Sequence, residues 1–504
     1  MPSEDMADEK VQERDSYDVV EYPGFVYADT HPDQLAVMAL LYGLEPAPIE
    51  HCRVLEIACN EGANVIPMAY AIPGGEFVGF DLAPECVARG QERIRRLGLK
   101  NIRLFQANLL DVGPELGEFD YIIAHGLYAW VPEPVRDRLL SLCGEHLAPN
   151  GVAFISYNAL PGGYLRKMSR EMIFARIQGI NDPQQQVEEA IAFIKSIANA
   201  RPEGDIYRAL FEEQLKRLTT GRVAAIFHDD LSPAYHPVYF SQLVEHANRH
   251  GLQYLSEAVL PPPNDPCFKA DFQNAIKPAA SDIIAQEQMI DFARMRMYRE
   301  TLLCRADHKL TRNFPAEQFR GLLYSSSAIS SSGESENARY YTLSSGGTKL
   351  HCNQQITIAL MEKLIPAWPH ALSFDALMPV LAANGITAVE QAAKLLLQMA
   401  VAKMIELHTW KPTLADGITE YPRATATSRL EAKTHAYTST LRHFQLELTD
   451  TVGRYFVQLL DGTRDRAALL EALKAEFPQT SVEELEQGIE TNLNFLYRAT
   501  LLEA

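Results

Sequence analysis

Between residues 52 and 157, short apolar runs alternate with longer amphipathic stretches, and this rhythm limits what the chain can fold into more than any other feature. The runs at 52–57, 76–80, 101–105, 121–124 and 152–157 have the length and uniform apolarity of buried parallel strands. Amphipathic stretches at 63–72, 84–97 and 134–147 lie between them. Strand–helix alternation sustained over about 100 residues predicts an open, doubly wound α/β sheet.

Outside that core the pattern changes. Thr30-His31-Pro32-Asp33 reads as a helix start, with Thr30 as the cap. After Pro161-Gly162-Gly163 come successive helices, including 184–198 and 206–218. A helix at 237–250 ends at Gly251 and is followed by a strand at 252–259, the breaker Pro261-Pro262-Pro263, a helix over 283–300 and a last strand at 301–305. Residues 164–235 are therefore expected as a helical insertion within an α/β domain that closes near residue 310. A separate helical domain would leave the two later strands without a sheet. Serine- and glycine-rich residues 324–349 read as a loop-rich boundary. Helices at 356–364, 374–383 and 388–399, then a strand at 405–407, follow the winged-helix order. A second unit has a strand near 444–448, a helix to Leu460, the turn Asp461-Gly462-Thr463 and helices to the end.

Charge and composition remove several function classes. The 504 residues carry 46 Lys+Arg against 65 Asp+Glu, a net charge of −19 that repels a phosphate backbone. Residues 374–399, where a DNA-reading helix would need cations, contain only Lys394. No nucleic-acid partner is expected. No apolar run reaches the roughly 20 residues a membrane span needs, and residues 1–10 are polar with no apolar signal core. Seven cysteines include no CxxC pair, as in a reduced cytoplasmic protein. His246 and His250 have helical i, i+4 spacing but no surrounding HExxH, so they read as solvated helix histidines and no metal site is expected.

The sharpest motif is the stretch from Val54 to Asn64, between the first strand and the first helix. Glu56 closes the strand, a tight turn follows, and Gly62 opens the helix. Such turns need small residues or positive φ so that backbone N–H groups reach a nucleotide-like ligand. A dinucleotide fingerprint would show three glycines; Ala58 and Asn60 stand at the first two places, and Asn tolerates positive φ. Asp81 ends the second strand, where an acid accepts ribose hydroxyls, and Asn108 follows the third, where an amide can read an adenine amine.

These three strand ends resemble the class I S-adenosylmethionine-dependent methyltransferases. The flanks Ser16-Tyr17-Asp18, Glu21-Tyr22-Pro23, Ala124-His125-Gly126-Leu127-Tyr128, Asn158-Ala159-Leu160-Pro161 and Arg299-Glu300-Thr301 resemble more closely one bacterial family with a methyltransferase regulatory domain, which includes protein-lysine methyltransferases. The resemblance implies a Rossmann-like sheet with a helical insertion, then winged-helix-like α+β domains. It implies a lid segment at 1–45, a cofactor-binding domain at 46–163 and 236–310, an insertion at 164–235 that mediates homodimer formation, a middle domain at 311–425 and a C-terminal domain at 426–504. Glu56, Ala58, Asn60 and Gly62 would then contact the methionine part of S-adenosylmethionine, Asp81 the ribose, and Asn108 and Leu109 the adenine, with Asn64 and Leu82 also lining the cofactor site. His125 would stand beside the sulfonium, and Tyr17 and Tyr22 would fold over the cofactor.

The fourth strand runs into Ala124-His125-Gly126, without the Pro-Pro pair that holds planar amines and bases in other methyltransferases. A lysine acceptor must first lose a proton, at about 4.6 kcal/mol at pH 7. Aromatic walls and a nearby sulfonium both favour the neutral amine. Tyr17, Tyr128, Trp130 and Asn158 are the expected wall, with His125 relaying the proton or orienting the cofactor. His228-Asp229-Asp230 reads equally as acids at the active-site mouth or as a surface turn. The sequence thus reads as a methyltransferase modifying lysine on a protein, against a small-molecule methyltransferase or a cofactor-binding regulator without turnover.

Overall fold

The computed structural model describes residues 24–220, 223–260, 272, 282–332, 339–343 and 347–504. A helix α1 (Pro32–Leu41) precedes the sheet, which takes β1 (Arg53–Ile57), α2 (Val65–Ala71), β2 (Glu76–Asp81), α3 (Pro84–Leu97), β3 (Ile102–Gln106), β4 (Phe119–Ala124), α4 (Glu133–His146) and β5 (Leu147–Asn158) in succession. The insertion follows as α5 (Gly163–Ile177), α6 (Pro183–Asn199), α7 (Ile206–Thr220) and α8 (Val223–Asp230). The chain then returns through α9 (Phe240–Arg249), β6 (Leu252–Glu257), α10 (Ile283–Arg294) and β7 (Tyr298–Arg305).

The seven strands lie in the order β3-β2-β1-β4-β5-β7-β6. β1 to β5 are parallel, and β7 runs antiparallel to both β5 and β6. The strand order reverses beside β1, so the ends of β1, β2 and β4 open on one crevice. Alternate side chains serve two cores. Leu35 and Met38 of α1 share one with Tyr121, Ile123, Phe154 and Leu302, and it continues into Leu360, Phe374 and Leu396 of the middle region. Leu139 of α4 and Leu243 of α9 share the other with Leu55, Ile122, Tyr157 and Leu303.

Three expectations are corrected. The cap of α1 is His31, whose Nδ1 accepts from Asp33 N at 3.2 Å, while Thr30 Oγ1 donates to Tyr27 O at 2.7 Å. The helix expected over 283–300 stops at Arg294, because Met295 turns left-handed (φ +50°), and the strand begins three residues earlier than expected. Arg299, read as helical, is instead fully buried in β7 and meets Asp291, Glu257 and Glu287 at 2.6–2.9 Å. The serine-rich boundary also carries strands: β8 (Leu323–Ser325), β9 (Ile329–Ser332), β10 (Arg339–Thr342) and β11 (Lys349–Cys352). The last three form an antiparallel sheet around buried Tyr341; the β-formers Ile329, Tyr340, Tyr341 and Thr342 outweigh the serines.

The middle region continues as α11 (Gln355–Leu364), β12 (Leu372–Ser373), α12 (Phe374–Ala383), α13 (Val389–Val401) and β13 (Glu406–His408), with β8 between β12 and β13. Asp33 of α1 ties it down, accepting from Thr409 N, Thr409 Oγ1, Trp410 N and His408 Nδ1 at 2.6–3.0 Å. The last unit is α14 (Ala426–Thr434), the hairpin β14 (Tyr437–Ser439) and β15 (Gln445–Glu447), α15 (Thr451–Leu459), α16 (Arg466–Glu476) and α17 (Val482–Arg498). No described helix is long and apolar enough to cross a membrane.

Candidate active site

Beyond β1 the backbone doubles back through three left-handed residues, with φ of +57° at Ala58, +51° at Asn60 and +73° at Gly62. At Gly62 space is also tight, since a Cβ would lie 2.8 Å from Leu104 Cδ1, which would have to shift. Asn suits this conformation; Ala does not, at about 1–2 kcal/mol. Ala58→Gly is therefore expected to stabilise the protein by about 0.5–1 kcal/mol after the entropy Gly adds to the unfolded chain, read as a higher urea midpoint. Asp81, at the end of β2, fixes the turn: its Oδ2 accepts from Asn60 N at 2.8 Å and its Oδ1 from Ala83 N at 2.9 Å. Leu82 beside it is 52 % exposed at the rim. Exposed Asn108 caps the short turn after β3, accepting from Leu110 N at 3.1 Å, and Leu109 is buried beneath.

Asn64 is the hub of the site. It is buried, and its Nδ2 donates to Glu56 Oε1 at 2.8 Å and to Thr30 Oγ1 at 3.0 Å. Its Oδ1 accepts from Tyr27 N at 3.0 Å and from His443 Nε2 at 2.8 Å. His443 sits in the β14–β15 turn (φ +60°), so the C-terminal hairpin reaches the first turn of the sheet. Glu56 Oε2 and Asn60 Oδ1 are buried with no hydrogen-bond partner among the described residues, and burial raises the Glu56 carboxyl to about 8. A buried carboxyl that can give up its proton and a free amide oxygen, above a positive-φ turn, fit a ligand that brings an ammonium and other donors.

The end of β4 supplies the second half. His125 is stacked on Tyr27 (centroids 3.5 Å apart, planes 21°), its ring lies 6.0 Å from Phe154, and its Nε2 lies 3.1 Å from Tyr298 Oη. Burial lowers His125 to about 4, so its imidazole is neutral at pH 7. Asn158 pairs with Tyr298 and Ser156 with Glu300 across β5 and β7, which puts all four side chains on the His125 face. Ser156 Oγ accepts from Gly126 N at 2.7 Å and holds the loop. Glu300 is raised to about 7, chiefly by burial and then by Asp29. Burial raises Asp29 too, against the pull of Lys403.

Two expected wall residues lie elsewhere. Tyr128 is buried on the opposite face with Tyr157, and its hydroxyl meets His246 Nδ1 at 2.8 Å. Trp130 packs against Tyr235 (5.3 Å), with the Arg166 and Arg170 guanidinium groups 5.1 and 5.4 Å from its ring. The short helical turn Tyr128–Trp130 carries both around the strand end, away from His125. Asp230 is buried and paired with Arg166 and Arg217, and Asp229 O accepts from Arg166 and Arg170, so this acidic stretch closes the insertion. Tyr17 and Tyr22 lie outside the described residues. Sequence reasoning missed Tyr27, Asp29, Thr30, Tyr298, Glu300 and His443; the first three border the His31-Pro32 helix start, the one local signal that pointed to them.

Known proteins match in the same places. Family profiles described as "Methyltransferase domain", "Predicted methyltransferase regulatory domain" and "PKMT, C-terminal winged helix domain" match residues 54–151, 223–305 and 420–494. A Rickettsia prowazekii protein, RP789, is 26 % identical over 92 % of this chain and 86 % of its own length. A second, RP028, is 32 % identical over 48 % of this chain and 96 % of its own length. The structure of PKMT2 from Rickettsia typhi in complex with AdoHcy superposes with a TM-score of 0.86 over 95 % of this chain and 99 % of that one, at 22 % identity. With the sheet order, the positive-φ turn and the buried polar atoms beside it, these matches mean that the chain belongs to the class I S-adenosylmethionine-dependent methyltransferases that carry a regulatory domain and a PKMT winged helix.

Proposed function

We propose that the chain N-methylates lysine side chains of a protein substrate. The observation that carries this reading is the enclosure at the end of β4, where neutral His125 stands between Tyr27 and Tyr298. The carboxyls of Asp29 and Glu300 lie two residues further along the same two segments. Lysine arrives as a cation, and these carboxyls attract it. Glu300, near 7, has the proton affinity of a general base at neutral pH. The tyrosine rings desolvate the amine and so favour its neutral, nucleophilic form. A neutral imidazole repels neither the ammonium nor a sulfonium.

The cofactor, when bound, supplies an electrophilic methyl carbon on a cationic sulfur. In this reading Glu56, Ala58, Asn60, Gly62 and Asn64 hold its methionine part, Asp81 and Leu82 its ribose, and Asn108 and Leu109 its adenine. Asn158, beside Tyr298, orients the amine. A polypeptide acceptor is supported by the winged-helix hairpin that borders the site through His443, and by the likeness to PKMT2.

Incubation with radiolabelled S-adenosylmethionine and a protein extract tests the acceptor. Label on lysine, with a gain of about 14 Da in mass spectrometry, is expected; label confined to small molecules overturns the reading. Glu300→Gln should lower kcat by roughly 10²-fold or more. Because the base must be ionised, wild-type kcat should rise as pH passes 7, and the variant should lose that limb.

A further inference from the structure

We propose that Asp137, His246 and His250 form a binding site for a zinc-class transition-metal ion, on the side of the sheet opposite the methyl-transfer crevice. Asp137 lies on α4; His246 lies on α9 and His250 caps that helix. Asp137 Oδ1 accepts from His246 Nε2 at 3.0 Å and from His250 Nε2 at 2.8 Å. One donor atom from each of the three residues lies within 4.8 Å of the others. Tetrahedral ligands 2.0–2.1 Å from a zinc ion stand about 3.3 Å apart, so a small opening of this triangle admits the ion. Two imidazoles and one carboxylate suit zinc or a neighbouring first-row ion better than calcium or magnesium, which prefer all-oxygen shells.

The surroundings are those of a metal-ligating histidine. His246 is buried, and its second nitrogen meets Tyr128 Oη at 2.8 Å, the outer contact that fixes ring orientation and tautomer at metal sites. In the metal-free form the Nε2 protons point at Asp137; on binding, each ring proton moves to Nδ1 and Nε2 faces the ion. Asp137 is exposed, so an ion and a completing water can enter from solvent. The i, i+4 histidines alone carry no such signal, because their third partner stands 109 residues away from His246. Bound metal would fasten α9 to α4 behind Tyr128, three residues from His125, so it would stiffen the loop that presents His125.

Calorimetric titration of the metal-free full chain with Zn2+, and visible spectra with Co2+, test the site. One equivalent of Zn2+, a raised Tm and the d–d bands of four- or five-coordinate Co2+ are expected. Asp137→Asn, on an exposed side chain, and His250→Ala, on a partly buried one at the helix end, should each weaken binding at least 10-fold. Tyr128→Phe should weaken it 10- to 100-fold, as loss of an outer-shell partner does. No binding at 100 μM Zn2+, or undiminished binding in the Asp137 and His250 variants, overturns the proposal.

Discussion

Arg299→Ala is expected to destabilise the protein by about 3–5 kcal/mol, the usual result of removing one member of a buried ion network. Arg299 is among the largest wholly buried side chains, and it stands on β7, between β5 and β6. Its fork takes Asp291 on two nitrogens at 2.7 and 2.8 Å, while Glu257 and Glu287 lie at 2.6 and 2.9 Å. The Phe240 ring packs 4.0 Å from the guanidinium carbon. Deleting the cation leaves Asp291 and Glu257 buried with too little positive charge. Burial already raises both carboxyls, and the variant should raise them further. The folded variant then holds protons that its unfolded chain releases above about pH 4–5, so its deficit widens as pH rises. Urea denaturation at pH 5 and pH 8 checks both size and slope. Arg299→Lys, which keeps the charge but loses the fork, should recover only part of the loss.

Asn64→Ala should cost about 2–4 kcal/mol in stability, with S-adenosylmethionine affinity falling roughly 100-fold, because buried partners are left unpaired at about 1–3 kcal/mol each. Among the described residues Asn64 alone gives Glu56 a side-chain donor, and it takes donors from Tyr27 and His443. The proton balance gives a second readout. Glu56, near 8, is mostly protonated at pH 7 before ligand arrives. An ammonium set against Oε2 lowers it, so binding at pH 7 should release close to one proton, measured by calorimetry in buffers of different ionisation enthalpy. The release should shrink as pH rises through 8. Unchanged affinity in the variant, or no proton release in the wild type, removes Glu56 from the methionine pocket.

The sheet was legible because its strands are apolar on both faces, and the turn after β1 because few residues tolerate left-handed φ. What escaped notice has definite causes. The apolar spacing of 283–300 continues past the real helix end, and only the backbone at Met295 breaks it, so Tyr298 and Glu300 were hidden in a helix that does not exist. Tyr128 and Trp130 follow a strand end as expected, but a short helical turn carries them to the wrong side, a matter of direction that spacing does not encode. His443 and Asp137 act through partners more than 100 residues away, beyond any local pattern.

The contact between His443 and Asn64 spans 379 positions of sequence. A ribosome delivers the turn after β1 first and that hairpin 379 residues later, so Asn64 lacks one of its donors until that much more chain has been made. Removing the hairpin would therefore leave Asn64 Oδ1 short of one buried donor, a local cost at a turn that lies hundreds of residues upstream.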